Sequence, residues 1–224
     1  MIIIRGVFML MLAFLTGTGG GLAQELVKLP PPQTQGKVSV EQALAQRRTV
    51  RRFAGRALDL QQLSQLLWAT DGVNDPRGRR TAPSAGATYP LDLYLVAGER
   101  GVGTLAAGVY RYRPTEPSLE LLVPGDLRGA VARACLQQTW MAEAPVMVVI
   151  GADYRRCTAR YGERGMRYTH MEVGHAAQNL FLEAEALGLG AGIVGAFEDQ
   201  TLAQTLKLPR ESHPLLVMPV GYKY

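Results

Sequence analysis

The sequence predicts an α+β domain in which a mixed sheet is covered by helices, and three observations predict it. Leu60, Leu63, Leu66 and Leu67 recur at helical spacing. Residues 145–151 (PVMVVIG) form a continuous apolar run, the pattern of a strand buried on both faces. Helical and extended stretches alternate along the chain, with no repeats and no low-complexity tracts.

The elements follow in order. Ser39-Val-Glu-Gln42 is a capping box, so a first helix runs to about Arg47. Asp59 caps the leucine-striped helix and Gly72 ends it. Residues 74–80 (NDPRGRR) are polar and turn-rich, hence a loop. Leu91 to Ala97 reads as a strand, and residues 109–113 and 119–123 as a hairpin around 114–118. A helix begins at Asp126 and reaches about Gln137. The apolar run then gives a strand, and a long helix spans about Tyr168 to Leu187. A short helix follows Asp199, and Leu215 to Val220 is the last strand.

Residues 1–23 are set apart from this domain. One charge at Arg5, the apolar stretch Val7 to Leu15 and then small residues form the pattern of a cleaved secretory signal peptide. The apolar stretch is shorter than the ~20 residues of a spanning helix. An uncleaved membrane anchor is the alternative, and either way this segment is the only expected membrane contact. The expected compartment is the periplasm. No cysteine follows the apolar stretch and no Arg-Arg pair precedes it, which argues against a lipoprotein and a twin-arginine signal. Residues 24–38 carry Pro30-Pro-Pro32 and read as an extended surface linker. The domain proper is residues 39–224.

Composition bounds the function. At 224 residues and 47% hydrophobic content, the chain suits one globular domain and excludes wholesale disorder. Two cysteines, Cys135 and Cys157, cannot build a disulfide scaffold; they either pair or are simply buried. With His170, His175 and His213 they form no ligand set, so no metal is expected. The formal net charge of +5 suits either a nucleic-acid surface or arginines gathered at an anionic ligand. The chain has no nucleic-acid motif and no aromatic interleaving in its basic stretch, so nucleic acid is not an expected partner.

Three segments could carry chemistry. Arg47-Arg48-Thr49-Val50-Arg51-Arg52 places four arginines and a hydroxyl in six residues. It reads as a phosphate clamp or as a solvated basic face. Arg47 and Arg51 share a face if the first helix continues. Pro83-Ser84-Ala85-Gly86-Ala87-Thr88-Tyr89-Pro90 reads as an ordinary turn or as backbone that lies close to a flat ligand. Gly188, Gly190, Gly192 and Gly195 follow the long helix, where the chain must pass something without side-chain bulk. They do not sit between a strand and a helix, which excludes the Rossmann fingerprint. Glu172 and His175 lie three apart on the long helix; they could face a ligand or make local hydrogen bonds on one helix face. Trp68 and Trp140 read as core or dimer-interface aromatics.

In order and spacing, RRTVRRF, PSAGATYPLDLYL, RYGERGMRYTHMEVGHAAQNL…GLGAGIVGAF and MPVGY resemble the nitroreductase family of flavoproteins. PSAG…YPL and GHAAQNL are most similar to its SagB/ThcOx-type dehydrogenase branch. The resemblance spans about Val40 to Tyr222. It implies a nitroreductase-like sandwich, normally a homodimer with FMN at the subunit interface, acting on a small-molecule substrate. It assigns Arg47, Arg48, Thr49 and Arg51 to the phosphate and flavin edge. Pro83, Ser84, Ala85 and Gly86 match the loop along the flavin ring. Val194, Gly195 and Ala196 match the segment whose backbone N–H faces flavin N5, and Lys223 is the remaining basic candidate for the phosphate. Ala87 stands where many relatives carry an asparagine. Azoline-oxidising members of the branch are associated with a Lys-Tyr pair; Arg160-Tyr161 stands in that place here. Arginine cannot act as a base at neutral pH, which argues against azoline oxidation and leaves Tyr161 as the candidate proton donor or acceptor. NAD(P)H, the cytosolic hydride source, is scarce outside the cytoplasm, so an exported member uses another donor or, as a dehydrogenase, oxidises its own substrate and passes the electrons onward. A non-catalytic exported flavin-binding protein is the alternative reading.

Overall fold

The computed structural model describes residues 26–224, and the expected signal segment lies outside the described residues. Strand β5 (Val146–Ala152) takes up the continuous apolar run, and every residue in it is buried. The other strands are β1 (Leu26–Lys28), β2 (Leu91–Ala97), β3 (Gly108–Arg113), β4 (Ser118–Pro124), β6 (Leu189–Ala191) and β7 (His213–Tyr222). They form one sheet in the order β1-β4-β3-β2-β5-β7-β6. Its strand pairs are antiparallel, as in the β2–β5 register of Leu93 with Ile150 and Leu95 with Val148. The expected mixed character of this sheet comes down to one parallel bridge, Thr49 to Ala191.

Alternation along the central strands feeds two cores. Leu93, Leu95, Val148, Ile150 and Met218 face one core with helices α2 (Leu60–Asp71) and α5 (Arg164–Ala186). Tyr94, Val96, Met147, Val149 and Val217 face the other, with α3 (Arg128–Ala134) and α6 (Asp199–Leu206). The architecture is therefore helices on both faces of a sheet, the expected α+β class. Helix α1 (Val40–Gln46) and α2 both start on full capping boxes, Ser39 with Gln42 and Asp59 with Gln62. Among the described residues, no helix is long and apolar enough to cross a membrane.

Several elements differ from their expected bounds. The helix expected from Asp126 to about Gln137 is only Arg128–Ala134, because Leu136 and Gln137 adopt φ of 53° and 60°. A 3-10 turn, Thr139–Glu143, follows beyond the expected end. Helix α4 (Tyr154–Tyr161) offered only the Asp153 N-cap as a sequence signal: of its residues only Cys157 is buried, so no apolar stripe exists to read. Cys135 and Cys157 are both buried and unpaired, and burial pushes the Cys135 thiol up to about 12. Residues read as a linker are bound to the domain. Strand β1 pairs with β4, and the proline segment lies on α2, where Ser64 donates to the Pro30 carbonyl at 2.6 Å and Gln61 to Pro31 at 3.0 Å.

Candidate functional site along helix α5

The arginine segment does not continue α1. The helix stops at Gln46, Arg47 turns to ψ 128°, and the chain then runs extended beside β6. Val50 N–H donates to Ala191 at 2.9 Å, and Ala54 N–H donates to Tyr222 at 2.9 Å. Arg47 and Arg51 thus share no helix face. Arg47 lies over the Phe181 ring, 5.0 Å from its centroid, and Arg51 over Trp140 at 5.9 Å. Arg48 donates to the carbonyls of Ala45 and Arg47. Among the described residues, none of Arg47, Arg48, Arg51 and Arg52 pairs with a carboxylate. Thr49 is exposed beside them. Lys223 is held otherwise: its amine sits 2.7 Å from both oxygens of Glu185, so an anion reaching it must share it with that carboxylate.

The glycines after α5 have a packing reason. A Cβ on Gly190 would meet Val50, and one on Gly192 would meet the Trp140 ring. They let the arginine segment dock on β6. Beyond them, Val194 exchanges both of its backbone hydrogen bonds with Val217 at 2.9 Å, so its N–H is not free for a ligand. The N–H groups of Gly195 and Ala196, both exposed, donate to nothing among the described residues.

The small-residue loop, Pro83 to Pro90, lies nearer the N-terminal end of α5. Three of its residues adopt positive φ: Gly86 at 58°, Ala87 at 53° and Tyr89 at 45°. For Ala87 and Tyr89 this conformation is unfavourable, so the surroundings must impose it. Ser84 Oγ accepts from Tyr89 N–H at 2.9 Å, and Thr88 donates to Ala85 at 3.0 Å. From α4, Arg160 donates to the Gly86 carbonyl at 3.0 Å and Arg156 to Tyr89 at 3.2 Å. A Cβ on Gly86 would run into the Tyr161 hydroxyl.

Buried acids sit behind this loop. Glu172 is only 2% exposed, and neither carboxyl oxygen completes a hydrogen bond. Burial lifts its pKa to about 7, against the downward pull of the Ser84 hydroxyl, the Ala85 backbone and the Arg80 charge. At the end of α2, Asp71 is 1% exposed; its Oδ2 accepts from Arg80 at 3.0 Å and its Oδ1 has no partner. Burial lifts Asp71 to about 8 against the pull of Arg80, with Glu172 and Asp92 pushing it further up. These three oxygens are the buried side-chain atoms without a partner among the described residues. Asp71 and Arg80 open on a cleft of ≈ 440 Å³, with Asp92, Arg111 and Arg156 on its wall.

A profile of the nitroreductase family matches residues 44–222. The chain belongs to the nitroreductase family. It is 45% identical over 187 residues to a protein of Methanocaldococcus jannaschii named as a nitroreductase, MJ1384, covering 84% of this chain and 92% of that one. A crystal structure of a Ralstonia eutropha protein described as a nitroreductase superposes with a TM-score of 0.77 at 30% identity, covering 92% of each chain. The microcin B17-processing protein McbC of Escherichia coli is 26% identical over 169 residues, or 73% of this chain and 62% of McbC. The chain is thus a nitroreductase-family oxidoreductase with McbC among its relatives, in keeping with the SagB/ThcOx-type resemblance of its motifs.

In this nitroreductase-family chain, the Arg160-Tyr161 pair is turned toward the small-residue loop. Arg160 acts there as a hydrogen-bond donor, and its guanidinium also stands over the Tyr161 ring at 5.5 Å. Tyr161 is half-buried, edge-on to Tyr168 at 5.2 Å. Glu172 and His175 part company: Glu172 is buried and His175 exposed, so they share no helix face. Trp140 belongs with the arginine segment and stacks near Phe53 at 6.5 Å. Trp68 is half-buried and donates to Val73 at 3.0 Å. Nothing in the sequence joined Asp71, Arg80 and Glu172, which come from three separate segments. The one available signal was acids at otherwise apolar helix positions, at the end of α2 and in the middle of α5.

Proposed function

We propose that this chain is an exported FMN-dependent oxidoreductase acting on a small substrate as a homodimer. The observation that carries the reading is the row of adjacent arginines without carboxylate partners, on an extended segment pinned to β6. Such a row suits a phosphate monoester, which carries roughly −1.5 to −2 charge near neutral pH. When bound, FMN supplies two-electron hydride transfer at its N5. The residues of the chain do the rest. Arg47, Arg48 and Arg51, with the Thr49 hydroxyl, neutralise and orient the phosphate. The exposed N–H groups of Gly195 and Ala196 offer the ring edge fixed donors that do not titrate. Ser84, Ala85 and Gly86 bring backbone against the ring, and the Tyr161 hydroxyl can hold or pass a proton beside Gly86.

Spacing supports the homodimer. Along α5, Glu172 behind the loop and Phe181 beneath Arg47 are nine residues apart, or about 13 Å at the helical rise. The two half-sites thus lie apart in one chain. Across a two-fold axis, the loop of one copy can complete the arginine site of the other. Exposed Met166 and Met171 on α5, with Val40 and Leu44 on α1, supply apolar surface for that contact. The McbC likeness raises a peptide substrate; Arg160 in place of a basic lysine favours a smaller one. A donor other than NAD(P)H fits an exported enzyme.

An absorbance spectrum of the purified protein, a donor screen and a mass measurement in solution test this together. The expected result is a yellow dimer reduced by a donor other than NAD(P)H. Protein that stays colourless with added FMN overturns the flavin reading. Bound FMN that no donor reduces makes the chain a flavin carrier. A fractionation blot that finds the protein in the cytosol overturns the exported reading.

A further inference from the structure

We propose that Phe181 and Trp140 are positioning residues for the phosphate, holding Arg47 and Arg51 by their ring faces so that neither guanidinium is neutralised before the ligand arrives. This inference rests on the flavin reading above and deepens it. Four like charges in six residues repel one another, and a long side chain loses rotamer freedom wherever it is fixed. A site that orients its arginines beforehand leaves less of that cost to binding. A carboxylate partner would orient an arginine but offset its charge and occupy the N–H donors that grip a phosphate. A ring attracts the cation weakly and leaves its charge whole. Among the described residues neither arginine holds a carboxylate, and each stands over a ring.

The two rings are themselves fixed by packing. Phe181 is only 6% exposed, part of the core that α5 shares with the sheet, and the Arg47 guanidinium stands 5.0 Å from its centroid. Trp140, on the 3-10 turn, is half-buried and nearly parallel to the buried Phe53, with an interplanar angle of 19°. Its far edge lies on Gly192, where a Cβ would run into the ring. The Val50 carbonyl closes on the same glycine, and Gly192 N–H donates to Pro219 of β7 at 2.8 Å. Ring and arginine segment therefore dock on one fixed point of backbone. Arg51 follows Val50 in the chain and stands over that ring at 5.9 Å. Arg52 is the contrast: its ring is Tyr224, 86% exposed, so packing does not fix its support.

FMN and riboflavin, which differ by the phosphate alone, separate this role from a merely structural one. In fluorescence titrations of the flavin-free protein, Trp140→Leu and Phe181→Leu should each weaken FMN roughly 3- to 10-fold and leave riboflavin within about twofold. Trp140→Phe keeps a ring face and should restore most of the FMN affinity. In a background of Arg51→Ala, Trp140→Leu should cost nothing further, because the side chain it holds is gone. Equal losses for FMN and riboflavin overturn the proposal, as do additive losses in the W140L/R51A pair. Pyrophosphate, followed by its protection against melting, gives the same reading without flavin: W140L should weaken it and W140F should not. A protein that binds pyrophosphate in this way yet takes up no flavin overturns the flavin reading and leaves the rings as holders of an anion site. A protein that binds neither overturns both.

Discussion

Near its C-terminal end, α5 lays Phe181 under the Arg47 guanidinium; nearer its N-terminal end, it buries Glu172 behind Ser84 and Ala85. The first region gathers like charges at the surface. Their mutual repulsion is screened by water and salt, and aromatic faces support two of them. The second gathers opposite charges in the interior, where each carboxyl without a partner is pushed toward its neutral form. A ligand would relieve the first region by adding negative charge. Only protons relieve the second. The difference teaches that one helix can support both a surface row of unpaired positive charge and a buried pair of acids held toward their neutral form.

The largest expected effect breaks the arginine end. Arg47→Ala with Arg51→Ala should weaken FMN binding by at least about 100-fold, since each charged hydrogen bond is worth roughly 1.5–3 kcal/mol. Melting of the flavin-free protein should fall only modestly, because among the described residues neither arginine holds an ion pair and each lost cation–π contact is worth about 0.5–1 kcal/mol. A fluorescence titration and a melt check both.

The acid end should govern how stability varies with pH. Glu172 and Asp71 titrate near 7 and 8 when folded, but near 4 when unfolded. The folded chain therefore holds their protons more tightly. Their contribution is greatest below about pH 4, is lost as pH rises from about 4 to 8, and is level above that. The loss should be on the order of a few kcal/mol. Asp126, held near 2 by Arg128, works in the opposite direction, with its contribution lost only as pH falls below about 4. Melting curves from pH 4 to 9 should thus decline, and E172Q or D71N should flatten the decline and raise the melting temperature at pH 8.

Gly86→Ala sharpens the comparison at the loop. Its φ of 58° costs an alanine about 1–2 kcal/mol, and the added carbon meets the Tyr161 hydroxyl. The melt should fall and FMN affinity with it, while the arginine end keeps its structure. The smallest effect is expected for Lys223→Ala. Glu185 already offsets that charge, and a half-exposed pair is worth about 0–1 kcal/mol, so FMN affinity should change by less than about tenfold. A larger loss would show that the phosphate takes Lys223 away from Glu185.

The two regions also differ in how far they could be read from sequence. The arginines are neighbours in the chain, so their charge was visible at once. Their setting was not, because a helix was expected to carry Arg47 and Arg51, whereas the segment is extended against β6. The glycines near it were legible as a place of close approach, but the approaching groups are Val50 and Trp140. Strand β5 and the leucines of α2 were legible because burial on one or two faces leaves a periodic trace. Helix α4 left none, since only Cys157 among its residues is buried. The acid cluster was illegible for another reason: Asp71, Arg80 and Glu172 are brought together only by the packing of α2 against α5.

The Thr49–Ala191 bridge joins an early stretch of the chain to a late one. Closing a connection of that length is slow and comes after local structure has formed. The arginine row takes its extended shape from the pairing with β6 and β7, so it needs those strands in place. A cofactor that needs that row can bind only the completed protein. By mass action it would then act as a late fastener, raising the melting temperature in proportion to the logarithm of its concentration above Kd.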